Sequence, residues 1–166
     1  MSFAAPDTPP VLTASDGGWA SSTPITGNNT GTPVLVGGTV SVADTQLDTL
    51  GNYGGAVLTI ASGNGSGTFA LQDSSSVTLG ADNAVMYNGV QIGTYSPPGA
   101  TLNITFNSSA TSANVATILQ NLTYSSNLIQ PQNPGTSRLT ITATLNDGNS
   151  SNLSGYDTGA QGTGTD

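Results

Sequence analysis

The stretch "AVMYNGVQIGTY" at residues 84–95 decides which kind of fold this chain can adopt. Asn88 and Gly89 separate two apolar runs. This pair favours a two-residue type I′ turn, because both of its residues must take positive φ. Such a turn joins two antiparallel strands, so the stretch predicts a β-hairpin.

Segments on both sides of the hairpin have the composition of short strands. They are rich in Val, Ile, Leu and Thr and are bounded by Gly, Asn, Ser or Pro. In the last of them, every second residue from Leu139 to Leu145 is apolar and the residues between are threonines, which indicates a sheet wetted on one face. Further strands are predicted at 34–42, 56–61, 68–72, 76–79, 102–106 and 139–145.

One segment, "TSANVATILQNLTY" at 111–124, has helical periodicity instead. Its apolar residues recur at spacings of three, four and seven, and Thr111 or Ser112 can cap the start. A short amphipathic helix is expected from about residue 113 to 121. The chain is therefore predicted to be an all-β sandwich with one short helix.

The balance of charges restricts the partners that the chain can bind. It has nine aspartates, no glutamate and one cationic side chain, Arg138, for a net charge of −8. Binding a nucleic acid requires Lys or Arg to neutralise phosphates, so a nucleic-acid partner is excluded. The sequence also lacks an apolar run of transmembrane length, so membrane insertion is not expected.

Missing residue types exclude much of enzyme chemistry. The chain has no Cys, His or Lys, so it cannot build Ser-His-Asp or Cys-His nucleophiles, His-bound zinc or a Schiff base. A pair of aspartates could act in glycoside hydrolysis, but no aromatic-rich cleft is indicated around any two of them. We therefore expect that the protein is not an enzyme.

The two ends of the chain read as extended arms. Residues 1–33 form an N-terminal arm with a predicted first strand at 9–15, residues 34–152 form the sandwich, and residues 153–166 form a Gly/Thr-rich C-terminal arm. An extended arm can pack on its own domain or add a strand to the open sheet edge of a neighbouring copy. The sequence favours self-pairing slightly for 9–15 and leaves both arrangements open for 16–33 and 153–166.

The motif "VADTQLD" at 42–48 places Asp44 and Asp48 in a loop at the end of a predicted strand. Calcium binds six to eight oxygen ligands, and carboxylates are among those it prefers. The alternative is that Asp favours turns in general, because its side chain forms hydrogen bonds with nearby backbone groups. Nine aspartates against a single arginine favour a bound cation, although exposed carboxylates can also be solvated.

A second acidic loop, "LNDGNSSN" at 145–152, follows the last predicted strand. It offers oxygen ligands from Asn146, Asp147 and Asn149. If the two loops meet at one pole of the sandwich, they can share one Ca²⁺.

Aromatic side chains offer a different kind of site. Trp19 is the single tryptophan, and with Tyr53 and Tyr95 it is a candidate platform for a sugar ring. Single aromatic residues in β-proteins more often pack in the core or against a neighbouring strand.

Four motifs in order carry a family resemblance. They are "V-x-D-x-x-L-D" at 42–48, "G-A-x-L-T-I" at 55–60, "T-x-x-x-V-x-x-I-L-x-x-x-x-Y" at 111–124 and a closing "x-D-G-x-x" at 146–150. Together they resemble the cadherin-like modules of large bacterial surface adhesins and RTX-type secreted proteins, over roughly residues 9–152.

The resemblance implies a Greek-key β-sandwich of cadherin or immunoglobulin type, with Ca²⁺ at its poles and a structural or adhesive role outside the cell. Asp44, Asp48 and Asp147 match the acidic loops of the family. The family often has a Glu soon after its first strand, whereas this chain has "WASST" at 19–23, which weakens any site that uses that carboxylate.

These observations predict a secreted, calcium-stabilised structural protein of the bacterial cell surface or extracellular space. Copies of the chain would associate with one another into a fibre, sheath or biofilm matrix, with strand exchange through the arms. The alternative is a monomeric adhesive or glycan-binding module that recognises a cell-surface ligand through Trp19.

Overall fold

The computed structural model describes residues 10–14, 34–35, 39–62, 67–126, 141–147 and 162–165. Within these ranges the chain is mostly β-sheet, which confirms the predicted all-β, sandwich-like class. The Greek-key path stays a prediction.

Two short helices and one 3-10 turn accompany the strands in the described ranges. The helices are α1 (Thr45–Leu50) and α2 (Ser112–Gln120), and the 3-10 turn is Ala81–Asn83. The strands are β1 (Val11–Ala14), β2 (Val34–Leu35), β3 (Val40–Ala43), β4 (Val57–Ser62), β5 (Gly67–Leu71), β6 (Val77–Leu79), β7 (Ala84–Tyr87), β8 (Val90–Tyr95), β9 (Thr101–Phe106), β10 (Leu122–Ser126), β11 (Ile141–Asn146) and β12 (Gly162–Thr165).

Every pairing between these strands is antiparallel. The large sheet has the order β12-β11-β4-β9-β8-β7-β6, a three-stranded sheet has the order β2-β10-β5, and β1 pairs with β3. Strand β12 also lies beside β1. The last described strand therefore contacts both the large sheet and the small β1-β3 sheet.

The predicted hairpin is present as β7 and β8. Asn88 and Gly89 take φ values of +49° and +80°, as a type I′ turn requires. Tyr87 pairs with Val90 across the turn. The local sequence signal was therefore sufficient to place this hairpin.

One hydrophobic core lies between the large sheet and the elements packed against it. The alternation predicted for the last core strand is confirmed from Ile141 onward, because its apolar residues are buried and Thr142 and Thr144 are only partly covered. The largest fully buried side chains are Tyr53, Phe69, Leu47, Leu58, Ile60, Ile92, Leu102, Ile104, Ile118, Leu119, Leu122 and Leu145.

The predicted helix is confirmed as α2, one residue from its expected position. Thr111 is its N-cap: the Thr111 hydroxyl accepts from Asn114 N, and Asn114 Oδ1 accepts from Thr111 N at 3.0 Å. This reciprocal capping box satisfies two backbone donors that a helix start leaves open. The apolar side of α2 is buried in the core.

The prediction of a single strand at 34–42 is wrong. Its two ends are separate strands in different sheets: β2 pairs with β10, and β3 pairs with β1. The pair Gly37-Gly38 in the middle of this segment was the available signal for a break. Strand propensity does not reveal which partner each end of a segment finds.

Both arms contribute strands that pair within the chain. β1 lies inside the segment 9–15 and pairs with β3, and β12 lies inside the C-terminal arm and pairs with β11. Within the described part of the chain, no helix has the length and apolar character needed to cross a bilayer.

Candidate cation site

The first acidic motif is a helix start and not the expected loop. Asp44 follows β3 in an extended conformation and is the N-cap of α1. Its Oδ1 accepts hydrogen bonds from the backbone N–H groups of Gln46 at 2.9 Å and Leu47 at 2.6 Å. Gly51, with φ of +77°, ends the helix. This Asp and Gly, seven residues apart, were the available signal for α1, since a six-residue helix is too short to show periodicity.

Asp48 returns the contact to Asp44. Its Oδ2 accepts the backbone N–H of Asp44 at 3.0 Å, and its Oδ1 accepts the hydroxyl of Tyr53 at 3.0 Å. The structure thus brings together the two carboxylates that the sequence paired. It also adds Tyr53, whose role in this cluster the sequence did not indicate.

Burial separates the acidic residues into two kinds. Asp44 is 2% exposed and Asp147 is 1% exposed, whereas Asp48 is exposed. The second oxygen of Asp44, Oδ2, is buried as well. Because removing a carboxylate from water is costly, a buried carboxylate needs hydrogen bonds or a nearby positive charge.

The sheet register places the second acidic motif at the end of the large sheet where β4 begins. Asn146 pairs with Val57, and Asp147 follows directly. The segment between α1 and β4 runs along this end, where Ala56 N–H donates to the carbonyl of Tyr53 at 3.1 Å. Tyr53 also binds Asp48, so the segment 51–56 connects the first acidic motif to the start of β4, the strand end that pairs with Asn146.

Tyr53 is unsuited to the sugar platform considered from the sequence, because it is only 1% exposed. Burial raises the pKa of its hydroxyl well above the ordinary value of 10.0, and the hydrogen bond to Asp48 and the charges of Asp48 and Asp44 raise it further. A hydrogen bond with Ser112 acts in the opposite direction. The Tyr53 side chain therefore remains a neutral donor at any ordinary pH.

The remaining predicted site residues, Asn149 and Trp19, lie outside the described residues. Within the described ranges, no group of three or more Asp, Glu, His or Cys side chains is arranged to hold a metal ion. The carboxylates of Asp44 and Asp48 are oxygen ligands of the kind that calcium prefers.

Comparison with known proteins gives no relative from which a function could be transferred. No protein-family model, no curated protein and no solved structure matches this chain. Its function is therefore inferred from its own residues.

Proposed function

We propose that this protein is a secreted, calcium-stabilised structural protein whose copies assemble into an extracellular fibre, sheath or matrix. The observation that carries the proposal is the burial of Asp44 and Asp147 at strand ends, 2% and 1% exposed, in a chain with one cationic side chain. The cadherin-like motif order of the sequence is consistent with this role.

A bound cation would reduce the repulsion between neighbouring carboxylates such as Asp44 and Asp48. Like charges held close together repel, and a bound cation would offset that repulsion. Lys and His are absent from the sequence, which leaves few protein groups for that purpose. A hard divalent cation such as Ca²⁺ matches the available oxygen ligands.

The residues that we assign to the site are Asp44, Asp48, Asp147, Asn146 and Asn149. When bound, the ion would supply positive charge to these side chains. It would stabilise the fold by tying together two strands that are far apart in sequence. Calcium would therefore act on structure and not on a chemical reaction.

Self-assembly is supported by the surface chemistry of the chain. Only 6% of its residues are charged, against about 25% in a typical globular protein. Few charges leave little electrostatic repulsion between copies once the acidic residues are neutralised. Strand pairing between copies would then supply directional main-chain hydrogen bonds.

The proposal that calcium stabilises the fold is tested with the variant Asp44→Asn, and Asp82→Asn is its control. Asn caps helices as well as Asp does, so the first variant keeps the α1 cap and removes only the charge. Asp82 is exposed and has φ of +57°, a conformation that Asn tolerates, so the second variant is a matched charge-removal control.

Calorimetric melting in CaCl₂ and in chelator gives the readout. At a calcium concentration about 100-fold above Kd, we expect the Tm of the native chain and of Asp82→Asn to rise by about 5–10 °C. The rise should be much smaller in Asp44→Asn. No effect of calcium on the native chain, or an equal rise in all three proteins, would show that Asp44 holds no such ion.

Electron microscopy of the purified chain tests the assembly part separately. Fibres or sheets are expected in calcium, and their loss is expected after chelation. Monomeric particles under both conditions contradict the assembly proposal.

A further inference from the structure

We propose that β12 is the exchanged segment in this assembly: Gly162–Thr165 of one copy pairs with β11 of the next copy. The register would be the one seen within the chain, where Thr142 pairs with Thr165 and Leu145 pairs with Gly162. This inference rests on the proposed self-assembly and names the donor and the acceptor.

The β6 edge of the large sheet is blocked by polar groups of the residues that precede it. At the β6 edge, Val77 N–H donates to Ser74 Oγ at 3.0 Å and Leu79 N–H donates to Asp73 Oδ1 at 2.8 Å. The Val77 carbonyl accepts from Ser74 N at 2.8 Å. Backbone groups that could bind another strand are already used here, so strand addition is disfavoured at this edge.

The opposite edge is formed by β12, a four-residue strand near the end of the chain. Its sequence, Gly162-Thr163-Gly164-Thr165, has no large apolar residue, and two of its four residues are glycines. Glycine weakens a strand because it loses much backbone entropy and has no side chain to pack. The pairing with β11 therefore depends mainly on backbone hydrogen bonds, which any identical segment can replace.

The acceptor strand β11 is anchored independently of β12. On its other side it pairs with β4 over six residues, from Ile141 opposite Ser62 to Asn146 opposite Val57. Its apolar residues are buried in the core, with Ala143 and Leu145 both 0% exposed. If β12 leaves, β11 keeps its position and presents an open edge of backbone donors and acceptors.

The connection is long enough for the strand to reach another molecule. Fourteen residues, 148–161, separate Asp147 from β12. Extended chain spans at most about 3.3–3.6 Å per residue, so this segment can cover up to about 46–50 Å. Exchange of an identical element through a connection of this kind is a low-cost route to association.

Exchange of this kind is head-to-tail. In this exchange each copy supplies β12 as the donor and the β11 edge as the acceptor, so the contact between copies is heterologous and propagates as an open chain unless the rotation closes a ring. The blocked β6 edge disfavours strand addition at the other side of the large sheet.

A mixture of two single-cysteine variants tests the exchange. The sequence has no cysteine, so a disulfide can form only between introduced residues. Thr142→Cys and Thr165→Cys are prepared as separate proteins, mixed in equal amounts, assembled in calcium and oxidised. Paired residues in antiparallel strands lie about 4.5–5.5 Å apart at Cα, which is within disulfide range.

We expect a disulfide between residues 142 and 165 of different chains, identified by mass spectrometry of the linked peptides. The control mixture pairs Thr165→Cys with Thr94→Cys, an exposed position on β8 of the same sheet, and should link at background level. The pair Thr144→Cys and Thr163→Cys repeats the test at a second register position.

The possible failures are distinguishable. Fibres in which the 142–165 mixture links no more than the control mixture would overturn strand exchange and leave self-assembly standing. Linked dimers without fibres would support exchange and contradict the fibre. If neither 142–165 links nor fibres form, the proposals of strand exchange and of self-assembly are both overturned.

Discussion

The hydroxyl of Tyr53 donates a hydrogen bond of 3.0 Å to Asp48 Oδ1, and so joins the segment after α1 to the first turn of that helix. Tyr53 is 1% exposed, and Asp48 in turn accepts the backbone N–H of Asp44. A six-residue helix is unstable by itself in water. These contacts, with the fully buried Leu47, hold α1 against the core.

Tyr53→Phe removes the hydroxyl and keeps the buried ring. We expect a loss of about 1 kcal/mol in the free energy of unfolding, because the hydrogen bond goes to a carboxylate that water can reach. Urea unfolding of Tyr53→Phe, Asp48→Ala and the double variant measures the coupling. A coupling energy within about 0.3 kcal/mol of zero would show that the contact does not stabilise the fold.

The same tyrosine predicts a loss of stability at alkaline pH. Burial and the neighbouring aspartates raise the pKa of Tyr53 in the folded chain above its ordinary value of 10.0. Above pH 10 the unfolded chain therefore binds fewer protons than the folded chain, and stability falls as pH rises. Chemical unfolding between pH 8 and pH 11 should show this decline. Tyr53→Phe should flatten it, and an identical slope in both proteins would contradict this assignment.

Gly89→Ala tests the hairpin turn. Gly89 has φ of +80°, which costs a residue with a Cβ about 1 kcal/mol. Gly99→Ala is the matched control, because an added Cβ there would meet its nearest atom, Thr101 O, at an ordinary 3.6 Å. Thermal melts should show destabilisation in the first variant only. Equal Tm values for the two variants would mean that the turn conformation carries no cost.

Gly93→Ala should be more damaging, for a steric reason. An added Cβ would overlap the backbone carbonyl oxygen of Thr105 on the neighbouring strand β9 and press on Phe106 Cα at 3.2 Å. Because the obstacle is backbone in the middle of the sheet, we expect a cost of about 2–3 kcal/mol. Urea midpoints compared with Gly99→Ala check this value. A cost similar to that of the control would show that β8 and β9 can separate at this point.

Removal of the β6 edge caps should open a second association surface. In the double variant Asp73→Ala, Ser74→Ala, the N–H groups of Val77 and Leu79 lose their side-chain acceptors. We expect faster growth of large particles by light scattering, with lateral clumping of fibres in micrographs. Ser75→Ala, at an exposed position in the same loop, is the control. Unchanged particle growth in the double variant would show that the caps do not protect this edge.

Local signals explain the successful sequence predictions. The Asn88-Gly89 turn and the α2 segment from Thr111 each carry their information within a few residues, as positive φ, capping and 3.6-residue periodicity. The alternation in β11 is local in the same sense. These elements could be placed without knowledge of their partners.

The wrong predictions concern elements whose structure depends on their partners in the tertiary fold. The segment 34–42 divides because β2 and β3 pair in different sheets, and α1 was taken as a loop because its single buried residue, Leu47, gives no period. The cluster of Asp44, Asp48 and Tyr53 depends on how the chain turns after Gly51. Helix and strand propensities do not specify these strand partners or side-chain contacts.

The sequence by itself determined the all-β class, the hairpin, the capped helix, and a chemistry limited to oxygen ligands with almost no cationic side chains. Only the tertiary structure decided which carboxylates are buried, which sheet edge is capped, and that β12 is the strand at the other edge. The physical reason is range: turns and caps depend on neighbours a few residues away. Burial and strand pairing depend on residues brought together from distant parts of the chain, such as Val57 and Asn146.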